Sequence, residues 1–234
     1  MEYFADLHIH SCLSPCGDDD MTPCNIAGMA KLKGLDIIAV TDHNTARNLP
    51  AVQAVCQAYG LLLLPGMEIT TREEVHLLGY FPTVEAALAF SNMLREHLPN
   101  KKNKPGFFGN QRVMNSDDEQ IDEEEALLIG ATDFPLSEAA RQVEAFGGVP
   151  VPAHINRGEH GLLVNLGFMP EDRFYPTVEV WRALPCDEKA LRGRHVLHSS
   201  DAHYLGDIQE REHALRLRRA SVEELLGWMR TRKP

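Results

Sequence analysis

Short apolar runs that end in polar, chemically capable side chains recur along this sequence and restrict the folds open to it. The six runs are YFADLHIH (3–10), DIIAVTDH (36–43), LLLLPGME (61–68), VPVPAH (149–154), TVEVW (177–181) and HVLHSSDAH (195–203). Nearly continuous apolar runs of this length are typical of strands buried on both faces. In parallel α/β folds the carboxyl ends of such strands carry the functional side chains, and the candidate ligands fall there.

Helical patterns separate several of these runs. They cover residues 26–33, 49–59, 85–97 and 137–146, and a glycine or proline follows each as a stop signal. A last helix is predicted over 221–230, where Ser221 and Glu224 have the spacing of a capping box. Strands that alternate with helices predict parallel βα units and an α/β fold.

The domain organisation is predicted from length and from one break in the alternation. A chain of 234 residues suits a single compact domain over 1–234. Residues 100–133 do not fit the pattern and contain the acidic run SDDEQIDEEE. They predict an insertion or lid, and the alternative is a solvated loop that leads into an acidic helix N-terminus.

Charge and composition exclude some classes of function. The formal net charge of -11 disfavours a long nucleic acid as partner, unless bound cations change the local field. Apolar runs fall short of the roughly 20 residues that span a bilayer, so no membrane partner is expected and a cytoplasmic location is the default expectation. The five cysteines predict reduced thiols rather than a disulfide framework. The sequence leaves the oligomeric state open.

Histidines and carboxylates cluster at the predicted strand ends. His8 and His10 are two residues apart, so a strand directs both imidazoles to the same face. Further candidates at or near the ends of later strands are Asp42, His43, Glu68, His76, His154, Asp201 and His203. Each one alone could be a core histidine or a capping carboxylate. Because buried carboxylates and imidazoles are costly to desolvate together, their number favours bound metal ions.

These motifs resemble the polymerase and histidinol phosphatase (PHP) family of metal-dependent phosphoesterases. The resemblance rests on DLHIHS, AVTDHN, GMEIT, HLLGY, the AH of PAHINR, and SSDAH, which occur in the family's order between residues 6 and 203. It implies a distorted (βα)7 TIM-like barrel with a site for two to three divalent cations at the carboxyl-terminal mouth of its strands. Their identity, manganese, zinc or iron, stays open.

The resemblance also implies a ligand set. A first metal would be held by His8, His10, Glu68 and Asp201, a second by Glu68, His76 and His154, and a third by His43 and His203 with one ligand from the loop SCLSPCGDDDM. In that loop we favour Asp18, because a hard carboxylate suits a manganese- or magnesium-like ion. Asp19, Asp20 and Cys16 are alternatives, and Cys16 would shift the site towards zinc or iron.

Other residues are candidates for supporting roles. Asp6 and Asp42 either orient metal-binding histidines or accept structural hydrogen bonds. Arg157 and His160 either contact a substrate phosphate or are ordinary loop residues. The triplet Cys12, Cys16 and Cys24 lacks a CxxC pair and a nearby fourth cysteine, which argues against a metal knuckle.

The predicted function is hydrolysis of a small phosphate ester, such as a nucleotide, a sugar phosphate or a histidinol-phosphate-like molecule. A hydroxide bridging two metals would be the nucleophile. Glu68, Arg157, His160 and His203 are the residues predicted to take part in catalysis. The alternatives are a nuclease of short oligonucleotides, a metal-dependent amidohydrolase and a catalytically inert metal-holding module.

Overall fold

The computed structural model describes residues 1–233. Its strands are β1 (Glu2–Ile9), β2 (Ile37–Val40), β3 (Leu62–Leu63), β4 (Gly66–Thr70), β5 (His76–Tyr80), β6 (Arg112–Met114), β7 (Gln120–Glu123), β8 (Val149–Pro152), β9 (Thr177–Glu179), β10 (His195–Leu197) and β11 (Ala214–Arg216). Its helices are α1 (Pro23–Leu32), α2 (Leu49–Tyr59), α3 (Val84–Arg95), α4 (Pro105–Phe108), α5 (Leu136–Ala145), α6 (Leu162–Asn165), α7 (Glu188–Leu191) and α8 (Val222–Arg230). The predicted helices are thus confirmed, with ends shifted by a few residues. No helix in this range is long and apolar enough to cross a membrane.

The strands form a mixed α/β fold. Strands β1, β2 and β3 are parallel neighbours, and β11 joins β1 antiparallel. Strands β9 and β10 form a parallel pair, whereas β4, β5 and β8 form an antiparallel sheet. Within residues 1–233 these ladders make separate sheets rather than a closed ring, so the (βα)7 barrel is not confirmed. Isolated parallel bridges, His43 with Glu68 and Ile9 with Ala202, connect the sheets beside the strand ends.

The antiparallel sheet departs from the parallel alternation that the sequence predicted. Residues 71–75 are all that separates β4 from β5. A crossover to a parallel neighbour needs a dozen or more residues, so β5 returns antiparallel to β4. The return pairs Thr70 with His76 and places the first residue of β5 beside the end of β4. His76 therefore reaches the strand-end region from the start of a strand.

Local signals explain where the helices begin and end. The Thr22, Thr83 and Ser221 side chains accept hydrogen bonds from backbone N–H groups in the first turns of α1, α3 and α8. The Ser221 bond comes from Glu224 N, as the capping-box spacing predicted. Helix α2 ends at Gly60, whose φ of 67° is readily adopted by glycine.

Residues 100–133 form a braced segment that contains α4 and the β6–β7 hairpin. The buried side chain of Gln111 bonds to the backbone of residues 124, 126 and 128. Arg47 and Arg95 both pair with the buried carboxylate of Glu124. Strand β7, within the acidic run, is exposed, so this run enters a hairpin rather than a helix. The Gln111 bonds hold the segment together, and the contacts of Arg47 and Arg95 with Glu124 tie it to the rest of the protein.

Asn44 makes one of these ties, and we expect its substitution to destabilise the fold. Its amide donates to Leu128 O (2.6 Å) and Gly130 O (3.0 Å) and accepts from Thr70 N (3.1 Å). Its φ is 52°. Asn44→Gly should lower the free energy of unfolding by about 1–3 kcal/mol through lost buried hydrogen bonds. Asn44→Ala should lose a further ~1 kcal/mol, because alanine resists positive φ. Urea unfolding of both variants measures the free energy of unfolding. Equal losses of stability in the two variants would contradict the expected cost of positive φ for alanine.

Candidate metal centre

The side chains proposed as ligands converge where the strands end. His8 lies in β1 and His10 follows it directly, and both side chains are fully buried with their Nε2 atoms 3.2 Å apart. His43 follows β2, Glu68 lies in β4, His76 begins β5, His154 follows β8, and Asp201 and His203 follow β10. A cavity of about 280 Å³ lies beside this cluster and is lined by Cys16, His43, Glu68, His76, Ile129, His154, Arg157, Glu159, His160, Asp201 and His203.

Glu68 lies at the centre of this cluster and is 1% exposed. Its two carboxylate oxygens lie within 3.3 Å of nitrogens on five histidines, at 3.3 Å from His8 Nε2, 3.3 Å from His10 Nε2, 3.2 Å from His43 Nδ1, 2.8 Å from His76 Nδ1 and 3.3 Å from His154 Nε2. Asp201 Oδ1 approaches the same two nitrogens, at 3.3 Å from His8 Nε2 and 3.2 Å from His10 Nε2. This position allows Glu68 to bridge two cations.

Ligand-like side chains fall into three overlapping groups whose donor atoms lie within 4.8 Å of one another. The groups are His8, His10, Glu68 and Asp201; His43, Glu68 and His76; and His10, Cys16, His43 and His203. The first matches the predicted first metal. The second shares Glu68 and His76 with the predicted second metal, and His154 approaches the same carboxylate. The third contains His43 and His203, as predicted for the third metal, with Cys16, one of the predicted alternatives to Asp18, and with His10 in addition.

Hydrogen bonding in the cluster fits bound cations. Buried atoms without a hydrogen-bond partner include Glu68 Oε2 and the Nδ1 atoms of His43, His76 and His154. His8 Nε2 and His10 Nε2 face each other at 3.2 Å. Both rings use Nδ1 for other hydrogen bonds, so these Nε2 lone pairs repel unless a proton or a metal cation lies beside them. Imidazole and carboxylate donors are the ligands that zinc, iron and manganese bind.

Two further carboxylates orient the β1 histidines. Glu179 Oε2 accepts from His8 Nδ1 (2.9 Å) and from the backbone N–H of His154 (3.0 Å). Sequence reasoning missed Glu179, although a carboxylate inside the apolar run TVEVW was a usable signal. Asp42 acts through Ser14, whose hydroxyl donates to Asp42 Oδ1 (2.7 Å) and therefore accepts from His10 Nδ1 (3.0 Å). Both arrangements leave Nε2 as the nitrogen that faces the cluster.

Asp6 has a structural role instead of orienting an imidazole. Its carboxylate accepts hydrogen bonds from Ser200 N (3.0 Å), Ser200 Oγ (2.5 Å) and Gln209 N (2.9 Å). These bonds hold the loop after β10, which carries Asp201.

The φ angle of Asp201 is 51°, and those of His154 and His160 are 26° and 58°. Such backbone conformations are costly for residues other than glycine and tend to occur at functional sites.

The pKa values show how strongly these groups interact. Burial alone would lower the pKa of His10, but Asp201 and Glu68 outweigh it and raise the pKa to about 9. Burial would also lower the pKa of His8, but the carboxylates of Glu179, Glu68 and Asp201 raise this pKa well above its usual value. Burial lowers the pKa of His76 and of His203 to about 4. These two imidazoles are therefore neutral at pH 7, as a metal ligand must be.

The loop after β1 brings Cys16 to the cluster and leaves Asp18 outside. Among residues 1–233, Asp18 belongs to none of the three ligand groups. Its backbone N–H donates to His203 O (2.9 Å), and its carboxylate accepts from Asp20 N (2.9 Å). Asp19 pairs instead with Arg112. The structure therefore does not support Asp18 as the loop ligand. Cys12 and Cys24 lie apart, with sulfur atoms near Arg112 O and Ser116 O.

Arg157 and His160 both line the cavity. Arg157 pairs with Asp201 and stacks over the Trp181 ring, 4.9 Å from its centroid. His160 stacks on His76 with ring centroids 4.3 Å apart, and its Nδ1 donates to Glu74 O (2.9 Å). Arg157 also borders an adjoining cavity of about 740 Å³, which is lined in addition by Cys16, Trp181, Arg182, Ala183, Ser199, Ser200, Asp201, His203, Tyr204 and Asp207.

Known proteins similar to this chain include two sequence relatives and a solved structure. An uncharacterised protein from Methanocaldococcus jannaschii is 36% identical over 85 residues, which cover 33% of this chain and 49% of that protein. A 5'-3' exoribonuclease from Haemophilus influenzae is 29% identical over 99 residues, which cover 39% of this chain and 35% of that protein. A lesion-specific endonuclease from Pyrococcus furiosus shares the fold, with a TM-score of 0.73, 19% identity, and coverage of 98% of this chain and 56% of that chain.

These matches are partial, because the chain spans about half the length of the proteins it resembles, or less. The family match is broader. The model of the PHP domain matches residues 6–133, which is more than half of the sequence and includes His8, His10, His43, Glu68 and His76. The resemblance stated from the motifs is thus confirmed, and the chain belongs to the PHP domain family.

Proposed function

We propose that this protein is a metal-dependent phosphoesterase that hydrolyses small phosphate esters. Members of the PHP family are metal-dependent phosphoesterases and nucleases. The observation that carries the proposal is Glu68, a buried carboxylate within 3.3 Å of five histidines and placed to bridge two cations. Divalent cations bound by these residues would supply a water nucleophile at neutral pH and would neutralise charge on the phosphoryl oxygens.

The chain's own residues position the substrate. Arg157 borders both cavities and offers a planar pair of donors for two phosphate oxygens. Its partner Asp201 is also a proposed metal ligand, so Arg157 lies directly beside the position that a bound cation would take. His160 holds Nδ1 on Glu74 O, which leaves Nε2 as the nitrogen able to exchange a proton. His203 has the same arrangement with Asp201 O, which leaves its Nε2 as a candidate metal ligand.

A nuclease of short oligonucleotides is the second candidate. The cavity of about 740 Å³ adjoins the ligand cluster and presents the aromatic rings of Trp181 and Tyr204 together with Arg182. Aromatic rings stack on bases, and an arginine attracts a second phosphate. Two similar proteins are named as an exoribonuclease and a lesion-specific endonuclease. The net charge of -11 favours a short nucleic acid over a long one.

A panel of esters tests both candidates. Metal-stripped protein is reconstituted with manganese, zinc or iron and offered a chromogenic monoester, a chromogenic diester, nucleoside monophosphates, histidinol phosphate and short oligonucleotides. We expect phosphate release with at least one metal and none after stripping. Faster cleavage of oligonucleotides than of monoesters would favour the nuclease. Absence of cleavage with every metal, despite two bound ions per chain, would contradict phosphoesterase activity and leave the amidohydrolase or metal-holding module.

A further inference from the structure

Cys16 and His203 offer ligand atoms that belong to neither of the two Glu68-centred groups, and they lie beside His10 and His43, which belong to one Glu68-centred group each. The Cys16 Sγ and one nitrogen each of His10, His43 and His203 lie within 4.8 Å of one another. His43 is 5% exposed, and its Nδ1, which lies 3.2 Å from Glu68 Oε2, makes no hydrogen bond. His203 donates from Nδ1 to Asp201 O, which leaves Nε2 as its lone-pair nitrogen. Cys16 itself borders both cavities, so its sulfur is open to an incoming ion.

We propose that Cys16 is a thiolate ligand and, with His43 and His203, forms a third metal site that selects zinc, iron(II) or cobalt(II) over magnesium and manganese. His10 also belongs to the first group, where its Nε2 faces Glu68 and Asp201. A Cys-His-His set leaves a coordination position for water or substrate, as catalytic zinc sites do. Thiolates favour borderline and soft ions, whereas carboxylates favour magnesium and manganese.

Residues 100–133 hold the Cys16 loop against this site. Gly109 has a φ of 102°, and a Cβ placed there would lie 2.0 Å from Pro15 O. Arg112 donates its backbone N–H to Cys12 O (3.0 Å), and its guanidinium pairs with Asp19 at 2.8 Å. Contacts on both sides of Cys16 therefore set the path of the loop. The segment acts as a support for the thiolate ligand rather than as a separate unit.

The biological use of this site rests on the proposed metal-dependent function. The test of the site, however, measures metal binding and does not require enzymatic activity. Binding converts the Cys16 thiol into a thiolate, and the proton is released to solvent. Cobalt(II) is a suitable probe, because a cobalt–thiolate bond gives a near-ultraviolet charge-transfer absorption that imidazole and carboxylate ligands lack. The absorption reports on the sulfur ligand directly.

The experiment is a cobalt(II) titration of metal-free wild type, Cys16→Ser, Cys24→Ser and Asp18→Asn, followed by absorption and by bound cobalt per chain. We expect the charge-transfer band in wild type, Cys24→Ser and Asp18→Asn. Cys16→Ser should lack the band and should bind about one cobalt ion per chain fewer than wild type. Cys24→Ser is the matched control, because Cys24 lies away from the cluster with Sγ 3.2 Å from Ser116 O.

A second variant separates the ligand role from loop packing. Cys16→Asp should bind the same number of ions without the band, and the third site should change its preference from zinc towards manganese. A band that persists in Cys16→Ser, or cobalt binding to wild type with no band, would overturn the proposal. A band in a protein that cleaves no phosphate ester would leave the thiolate site standing and remove the proposed function.

Discussion

Replacing Glu68 with alanine is expected to remove two metal ions together and to reduce phosphate-ester hydrolysis by at least about 10³-fold. Glu68 is the carboxylate shared by two of the ligand groups, and its oxygens lie between the histidines of both. Residues that act as one unit lose most of the rate when a single member is removed. Metal content by mass spectrometry after gel filtration, measured beside hydrolysis of a chromogenic ester, tests this expectation.

Two variants calibrate the Glu68 result. Glu159→Gln alters an exposed carboxylate at the rim of the same cavity and should retain both ions. His203→Ala should lose mainly the third ion, because His203 belongs to the Cys16 group and to neither Glu68 group. Equal metal content in Glu68→Ala and wild type would refute the bridging assignment. Far-ultraviolet circular dichroism shows whether each variant is folded.

Replacing Glu179 with alanine should weaken metal binding at the first site by about 10–100-fold, the usual effect of removing a carboxylate that orients a metal-binding histidine. The substitution leaves two buried N–H groups without an acceptor, His8 Nδ1 and the backbone N–H of His154. His8 then loses the contact that keeps Nε2 directed at the cluster. Competition with a chromophoric chelator measures the affinity for zinc.

An exposed histidine–carboxylate pair provides the control for Glu179. His97 Nδ1 bonds to Asp133 Oδ1 at 2.8 Å, and Asp133 is 71% exposed at its side chain. Asp133→Ala should leave the zinc affinity unchanged. Glu179→Gln, which keeps the size and one acceptor oxygen, should lose less than Glu179→Ala. Wild-type affinity in Glu179→Ala would show that Ser14, Glu68 and Asp201 suffice to hold the β1 histidines.

Most of the ligand set follows from local patterns in the sequence. The spacing of His8 and His10 and the positions of His154 and Asp201 needed only the two-residue period of a strand and the ends of apolar runs. Glu68 was predicted at the end of a strand over 61–68, but that run divides into β3 and β4, and Glu68 lies in the middle of β4. Helix positions followed equally from caps and stop signals, as Ser221 shows for α8. Such signals act within a few residues and can therefore be recognised in the sequence.

Other features depend on contacts between residues that are far apart in the sequence. Glu179 reaches His8 across 171 positions, and Asp6 reaches Ser200 across 194. The position of Cys16, rather than Asp18, beside His43 and His203 depends on the path of a loop that packs against Gly109 and Arg112. The separation of the sheets likewise arises when distant strands pair, as β5 does with β8. Local patterns thus define which side chains are available to the site, whereas tertiary packing decides which of them meet. The reason is that the distances between ligand atoms depend on how distant segments pack, and the residue spacing within one strand or helix does not determine them.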